Sequence, residues 1–250
     1  QERQKIVGRA GVVGAGTLLS RVLGFGRDAL IAALFTRRET DAFWVALTIP
    51  NALRQLLAEG AVSSAVVPVL SERLAKGGDG AGRAFFARAR GVSLLALAAV
   101  TVLGVAFAGQ LTWLFASGYA EEAPSTAGAS KLALTTDLTR VMFPYIFFMG
   151  TAALGMAALN AKRRFAVAAF APALFSVGIA FGAIALRGPL AARGIDPSMA
   201  LALGVLAGGV MQVLAQVPAL RNIGYASFPV IDLRDPHVRE MLRRIGPMTF

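Results

Sequence analysis

The chain has 250 residues, 56% of them hydrophobic and 16% charged, with a mean hydropathy of +0.63 and a formal net charge of +11. A soluble domain of this length carries about 25% charged residues, whereas here the charges collect in short breaks between apolar runs of about 20 residues, enough to cross a hydrocarbon core of about 30 Å. That pattern excludes a soluble globular domain and predicts an all-α polytopic membrane protein; with no cysteine, disulfides and Cys-based metal sites are excluded too.

Six spans are expected, over residues 10–35, 42–70, 91–109, 133–159, 166–186 and 200–220, with a seventh beginning near Arg244. Residues 1–231 then form a six-span lobe, and residues 232–250 an interfacial helix and the start of whatever follows. The first span is apolar apart from the block S-R-V-L-G-F-G-R-D (20–28), which contains Arg21, Arg27 and Asp28. It lacks a small-residue cleavage site and is expected to stay attached as a span. The second carries Arg54 and Glu59 at mid-depth.

A charged side chain at the bilayer centre costs roughly 2.5–3.5 kcal/mol, and arginine does not shed its proton. These charges are therefore expected to face a water-filled or protein-lined interior and to mark a substrate path. The alternative is an ion-pair network that only locks helices together. Three arginines against two acids leave a positive interior, which locking does not require.

On an ideal helix Arg21 and Asp28 share a face about 10 Å apart, with Arg27 rotated by about 120° from Arg21. Asn51, Gln55, Glu59 and Ser63 recur every fourth residue as a polar stripe, with Arg54 about 60° to one side of Asn51. Two polar-striped helices in succession can wall a hydrophilic cavity. The later spans are nearly free of charge, with Asp137 and Arg140 as an interfacial pair near one end of the fourth. Pro50, Pro144 and Pro172 favour kinks, and Gly204, Gly208 and Gly209 allow close helix approach.

Orientation follows from Lys and Arg placement. Residues 1–9, 71–90, 162–164 and 221–244 hold sixteen of them, and the opposite breaks hold five, Arg37, Arg38, Lys131, Arg187 and Arg193. The first set is expected to be cytoplasmic, with the N-terminus inside. The net charge is thus a topology signal with possible lipid head-group contact, and nucleic acid is not an expected partner. In the last segment, Asp235 is placed to cap a helix that begins at Pro236. Val238, Met241, Leu242 and Ile245 give that helix one apolar face, and His237 at its start is expected to be solvated.

Guanidinium forks suit phosphate oxygens, so the expected cargo of an arginine-lined cavity is an anion bearing phosphate; a cationic drug is repelled. There is no G-x-x-x-x-G-K-[ST] loop, no Ser/His/Asp arrangement and no metal-ligand cluster, and no strand precedes Gly24 and Gly26. Neither enzymatic chemistry nor a cofactor is expected.

At these residues the chain resembles the MurJ/MviN family, the lipid II flippases of the multidrug/oligosaccharidyl-lipid/polysaccharide exporter superfamily. The resemblance rests on S-R-V-L-G-F-G-R-D (20–28), T-D-A-F (40–43), I-P-N-A-L-R-Q-L-L-A-E-G-A-V-S-S-A-V-V-P-V-L (49–70), F-P-Y-I (143–146), L-N-A-K-R-R-F (159–165) and F-A-P-A-L (170–174). It implies the N-terminal six-helix lobe of a MurJ/MATE-like two-lobe fold in the bacterial inner membrane. The implied activity is moving undecaprenyl-pyrophosphate-linked peptidoglycan precursor between leaflets. Arg21, Arg27 and Arg54 match the family's cavity arginines, and Asp28, Asp41 and Glu59 its recurrent acids; Gln55 departs from members with a second basic residue there. The resemblance further implies that a C-terminal lobe of the same protein is a partner, unless the half-length chain dimerises. Export of another polyprenyl-linked saccharide, or a scaffold role in envelope synthesis, are the alternative expectations.

Overall fold

The computed structural model describes residues 2–55, 63–120 and 131–245. Among these, every regular element is helical: α1 (Glu2–Leu34), α2 (Arg37–Arg54), α3 (Ser63–Ala106), α4 (Ala108–Ala116) running into a 3-10 turn (Ser117–Ala120), α5 (Lys131–Met142), α6 (Tyr145–Ala161), α7 (Phe165–Ala185), the short α8 (Arg187–Ala191), α9 (Met199–Asn222) and α10 (Pro236–Ile245). Three stretches are long and apolar enough to cross a membrane, Ala65–Ala106, Lys131–Ala161 and Met199–Asn222, and Phe170–Ala185 is a shorter apolar helix.

The fourth expected span is two helices. Pro144 has no N–H to give the preceding turn, so α5 stops at Met142 and α6 restarts at Tyr145. A larger difference lies at residues 71–90, expected as a loop between spans. They are helical, and α3 is interrupted only at Gly78, whose φ of 65° lies in the left-handed region open to glycine. The break itself is glycine-rich (Gly77, Gly78, Gly80 and Gly82), but good helix formers flank it, Leu74, Ala75 and Lys76 before and Arg83, Ala84 and Ala87 after, and Lys76 pairs with Glu72 one turn away at 2.7 Å. Polar composition marked an exit from the membrane but not an end to the helix.

The tightest packing joins α7 to α9. A Cβ on Gly178 would lie 2.3 Å from the Gly208 amide nitrogen, and one on Gly182 would lie 2.3 Å from the Ala200 carbonyl oxygen. Small residues on both helices thus let the backbones touch, as expected for Gly204 and Gly208. This pair is a spine with neighbours on both sides: α1 packs on α7, and α6 on α9. One apolar core joins Ile31, Phe43, Leu138, Ile179 and Leu201; a second, toward the opposite end, joins Leu70, Phe86, Leu159, Leu220, Tyr225, Val238 and Met241.

Through that second core α10 belongs to the lobe. Val238 and Met241 are buried against α3, while Leu242 stays partly exposed. The start of α10 is held as its sequence predicts, with the His237 and Val238 amides donating to Asp235 Oδ1 at 2.8 and 3.2 Å. The segment before α10 lies along α3, where the Val230 amide donates to the Ala87 carbonyl at 3.0 Å and Arg88 faces Asp232 and Asp235, each at 3.5 Å. His237 is not simply solvated: an Arg73 guanidinium nitrogen lies 2.5 Å from its Nδ1. Asp235→Ala removes the cap, and a lost cap costs about 1 kcal/mol. The expected result is faster hydrogen exchange of the His237 and Val238 amides, with exchange in α9 unchanged.

Candidate functional site

The charged block of α1 and the arginine of α2 are placed by a sharp reversal at Phe35–Thr36. Thr36 and Glu39 cap α2 reciprocally, the Glu39 amide donating to Thr36 Oγ1 at 3.4 Å and the Thr36 amide to Glu39 Oε2 at 2.7 Å. Beyond the reversal the two helices have different supports: α1 leans on α7, and α2 on α5, α6 and α4. They touch each other only slightly, so they form two walls that share a corner.

Axial rise places the candidate residues on these walls. Counted from Thr36, Arg27 and Trp44 lie about 13 and 12 Å along their respective helices. Arg21 and Asn51 each lie about 22 Å along, and Arg54 about 27 Å. The structure thus brings Arg27 to Trp44, its guanidinium carbon 5.6 Å from the indole centroid. Arg27 also holds Asp28 through two nitrogens, Nη2 at 2.7 Å and Nε at 2.8 Å. Its side chain is 15% exposed, against 51% for Asp28. A guanidinium clamped by a carboxylate and faced by a ring has little rotamer freedom left.

The other candidates are arranged differently. Arg54 Nε donates to Asn51 Oδ1 at 2.9 Å, so the amide of the polar stripe orients the arginine beside it. Gln55 closes α2 and is exposed; Arg21 is exposed as well. Asp28 pairs with its neighbour Arg27 rather than with Arg21 seven residues away, because the short aspartate side chain is within reach of Arg27 and α1 keeps Arg21 about 10 Å distant. Glu59 lies outside the described residues. Asp41 is used at the corner instead, its Oδ2 lying 3.3 Å from Lys131 Nζ at the start of α5. Lys131 is 11% exposed and its ammonium lies 4.0 Å from the Tyr119 ring centroid. The expected pair Asp137–Arg140 forms at 3.2 Å on an exposed surface.

Sequence reasoning passed over Trp44 and Lys131. Trp44 falls next to the T-D-A-F block but carries no charge to flag it, and Lys131 is 90 residues from Asp41. Along the other side of α1, an apolar cavity of about 500 Å³ opens toward α7, lined by Val22, Leu23, Gly26, Ser176 and Phe181, with Arg27 as its charged residue. Large apolar side chains on the same helix stay outside the lobe, Phe25 being 78% exposed and Leu18 66%. The combination of apolar surface and a clamped guanidinium suits an amphiphile with an anionic head.

Comparison with known proteins places this architecture. The family model for lipid II flippase MurJ matches residues 30–250. A protein of Burkholderia cenocepacia named lipid II flippase MurJ is 40% identical over 239 residues, 94% of this chain and 44% of that protein. A probable lipid II flippase MurJ of Vibrio cholerae is 37% identical over 241 residues, 96% of this chain and 45% of the relative. The chain therefore spans less than half the length of these curated relatives. Among solved structures, a lipid II flippase MurJ in an inward closed conformation superposes with a TM-score of 0.69 at 24% identity, over 94% of this chain and 46% of that one. A multidrug/oligosaccharidyl-lipid/polysaccharide superfamily transporter from Pyrococcus furiosus superposes with a TM-score of 0.62 at 16% identity, over 98% of this chain and 51% of that one. These two likenesses bear on the fold, an all-helical membrane architecture. With its family model matched across most of its length and its relatives aligned over nearly all of it, the chain belongs to the lipid II flippase MurJ family.

Proposed function

We propose that this chain is the N-terminal lobe of a flippase for undecaprenyl-pyrophosphate-linked peptidoglycan precursor, in the bacterial inner membrane with its N-terminus cytoplasmic. Arg21, Arg27 and Arg54, with Asn51 and Gln55, form the lobe's share of a cavity that binds the pyrophosphate. Asp28 and Glu59 hold the empty cavity together, and Asp41 fixes its corner. A second lobe completes the cavity, and the two rock around it to expose it to each leaflet in turn. The observation that carries this reading is Arg27: a guanidinium paired with Asp28, faced by Trp44 of the opposite wall, and bordering an apolar groove. Binding of the pyrophosphate competes with Asp28 for the same fork, so the cargo replaces an internal ion pair rather than filling an unpaired positive site.

The chain has no cysteine, so Arg21→Cys, Arg27→Cys and Arg54→Cys, made singly, test the shared cavity in full-length protein from which any cysteine of the remaining half has been removed. All three are expected to react with a membrane-impermeant charged thiol reagent and to be protected by the lipid-linked precursor. A cysteine at exposed Leu214, on α9 and away from the groove, is expected to be unreactive. Two unreactive arginine positions would overturn the cavity. A different polyprenyl-linked saccharide as cargo is the second reading, because the fold alone does not fix the cargo: the superfamily transporter from Pyrococcus furiosus shares it, and the reverse polarity of that protein's binding pocket suggests a different function for it. Protection by that lipid and not by the peptidoglycan precursor would favour it.

A further inference from the structure

Away from α1 and α2, three chain segments enclose a basic cavity of about 450 Å³ at the end of the lobe expected to face the cytoplasm. Arg83 comes from α3 just past the Gly78 break, Lys162 and Arg164 from the turn between α6 and α7, and Arg221 from the last turn of α9; the one acid in the lining is Asp79. Four cations against one carboxylate leave three positive charges. Helix ends change this little, since α6 and α9 terminate here and each C-terminus offsets about half a charge, while the N-terminus of α7 beside Arg164 adds about half. Roughly two and a half positive charges remain.

Asp79 is already committed. It pairs with Lys162, and the hydrogen bond from that lysine holds its carboxyl below the usual carboxylate range, with Arg83 adding to the effect. Among the described residues no carboxylate lies within ion-pair distance of Arg83, Arg164 or Arg221. The end of α9 forms the floor of the cavity. Gly224 ends α9 with φ of 76°, its amide donating to the Arg221 carbonyl at 2.9 Å, and a Cβ there would come within 3.1 Å of the Arg83 guanidinium. The next residue, Tyr225, is wholly buried, with Lys162 Nζ 5.8 Å from its ring centroid, and its hydroxyl has no hydrogen-bond partner. Burial, then the nearby Asp79 carboxylate, pushes the phenol above its ordinary value, so it remains a neutral donor.

We propose that this cavity binds a phosphate-bearing anion, independently of the arginines on α1 and α2. A phosphate group carries about −1.5 to −2 at neutral pH, which offsets most of the uncompensated charge, and Arg83 and Arg221 supply forks from two different helices. The same chemistry fits the head-group phosphate of an anionic lipid and a free phosphate or pyrophosphate.

The test uses full-length protein in nanodiscs, with two probes. Phosphatidylglycerol retained on the protein is counted by native mass spectrometry from nanodiscs that also contain phosphatidylcholine; inorganic pyrophosphate is titrated calorimetrically in nanodiscs of phosphatidylcholine alone. Arg83→Gln combined with Arg221→Gln is expected to weaken whichever anion binds by about tenfold or more. Arg164→Gln, an exposed single change with little reach into the fold, is expected to weaken it several-fold and serves if the double variant does not fold. Arg193→Gln, outside the cavity, is expected to leave binding unchanged. Retention of phosphatidylglycerol without pyrophosphate binding assigns the site to lipid, and pyrophosphate binding assigns it to the free anion. No binding of either probe, or equal loss in Arg193→Gln, overturns the site. Transport through the α1–α2 arginines is scored separately, so the two proposals fail independently.

Discussion

Arg27→Lys is expected to remove most transport while leaving the charge in place. Lysine is a point charge on a flexible stem. It cannot hold Asp28 through two nitrogens as Arg27 does, and it cannot present a fork to a pyrophosphate. Losing one charge-assisted hydrogen bond costs about 1.5–3 kcal/mol, or roughly 10- to 150-fold in an equilibrium constant. Cells dependent on the full-length protein are scored for growth and for precursor reaching the outer leaflet, with protein abundance measured alongside. Asp28→Asn is the companion variant. It releases Arg27 from its internal partner, so it is expected to bind cargo at least as well while melting earlier. If lysine at 21, 27 and 54 in turn all support full transport, the cavity acts as a generic positive potential and the phosphate fork is wrong.

Gly178→Leu should be the most damaging change to the fold itself. The added Cβ alone would sit 2.3 Å from the amide nitrogen of Gly208 and 2.8 Å from the Gly204 carbonyl oxygen. Overpacking between side chains costs about 1–3 kcal/mol because side chains can yield. Here the obstacle is the backbone of α9, so the helices must part. Since α1 leans on α7 and α6 on α9, parting them loosens the walls on which Arg27 and the second core depend. The variant is expected to lose its monodisperse gel-filtration peak, or to melt many degrees lower. Gly14→Ala, where an added Cβ meets nothing within 4 Å, is expected to be neutral to slightly stabilising, as alanine is the better helix former. Equal melting of Gly178→Leu and the unaltered protein would show that α7 and α9 do not touch in the membrane.

Periodicity and charge alone carried the all-helical class, the cap at Asp235 and the small-residue face of α9. Each of these depends on residues within a turn or two of one another, where spacing is the physics: a cap needs an acceptor beside the first free amides, and close approach needs small side chains on one face. The same locality misled at 71–90. Charge there argued for leaving the membrane, but charge does not oppose helix formation, and the chain breaks only where Gly78 permits the left-handed conformation. At Pro144 the missing amide coincides with a helix break, but Pro50 and Pro172 lack the same amide inside continuous α2 and α7, so the local rule alone does not decide the outcome.

The candidate site was legible in its residue types and not in its partnerships. An arginine inside an apolar stretch must find polar company, and this can be deduced from solvation cost alone. Which company it finds is a tertiary matter. Trp44 meets Arg27 because Thr36 reverses the chain and sends two helices to different supports, and Asp41 is taken by a lysine 90 residues on. The cavity of Arg83, Lys162, Arg164 and Arg221 is the plainest case. In sequence these residues are topology signals scattered over three breaks, each explained by the bias toward basic residues on one side of a membrane. Only the meeting of α3, the α6–α7 turn and the end of α9 sums their charges at one place, because electrostatic energy depends on distance in space and the sequence records only distance along the chain.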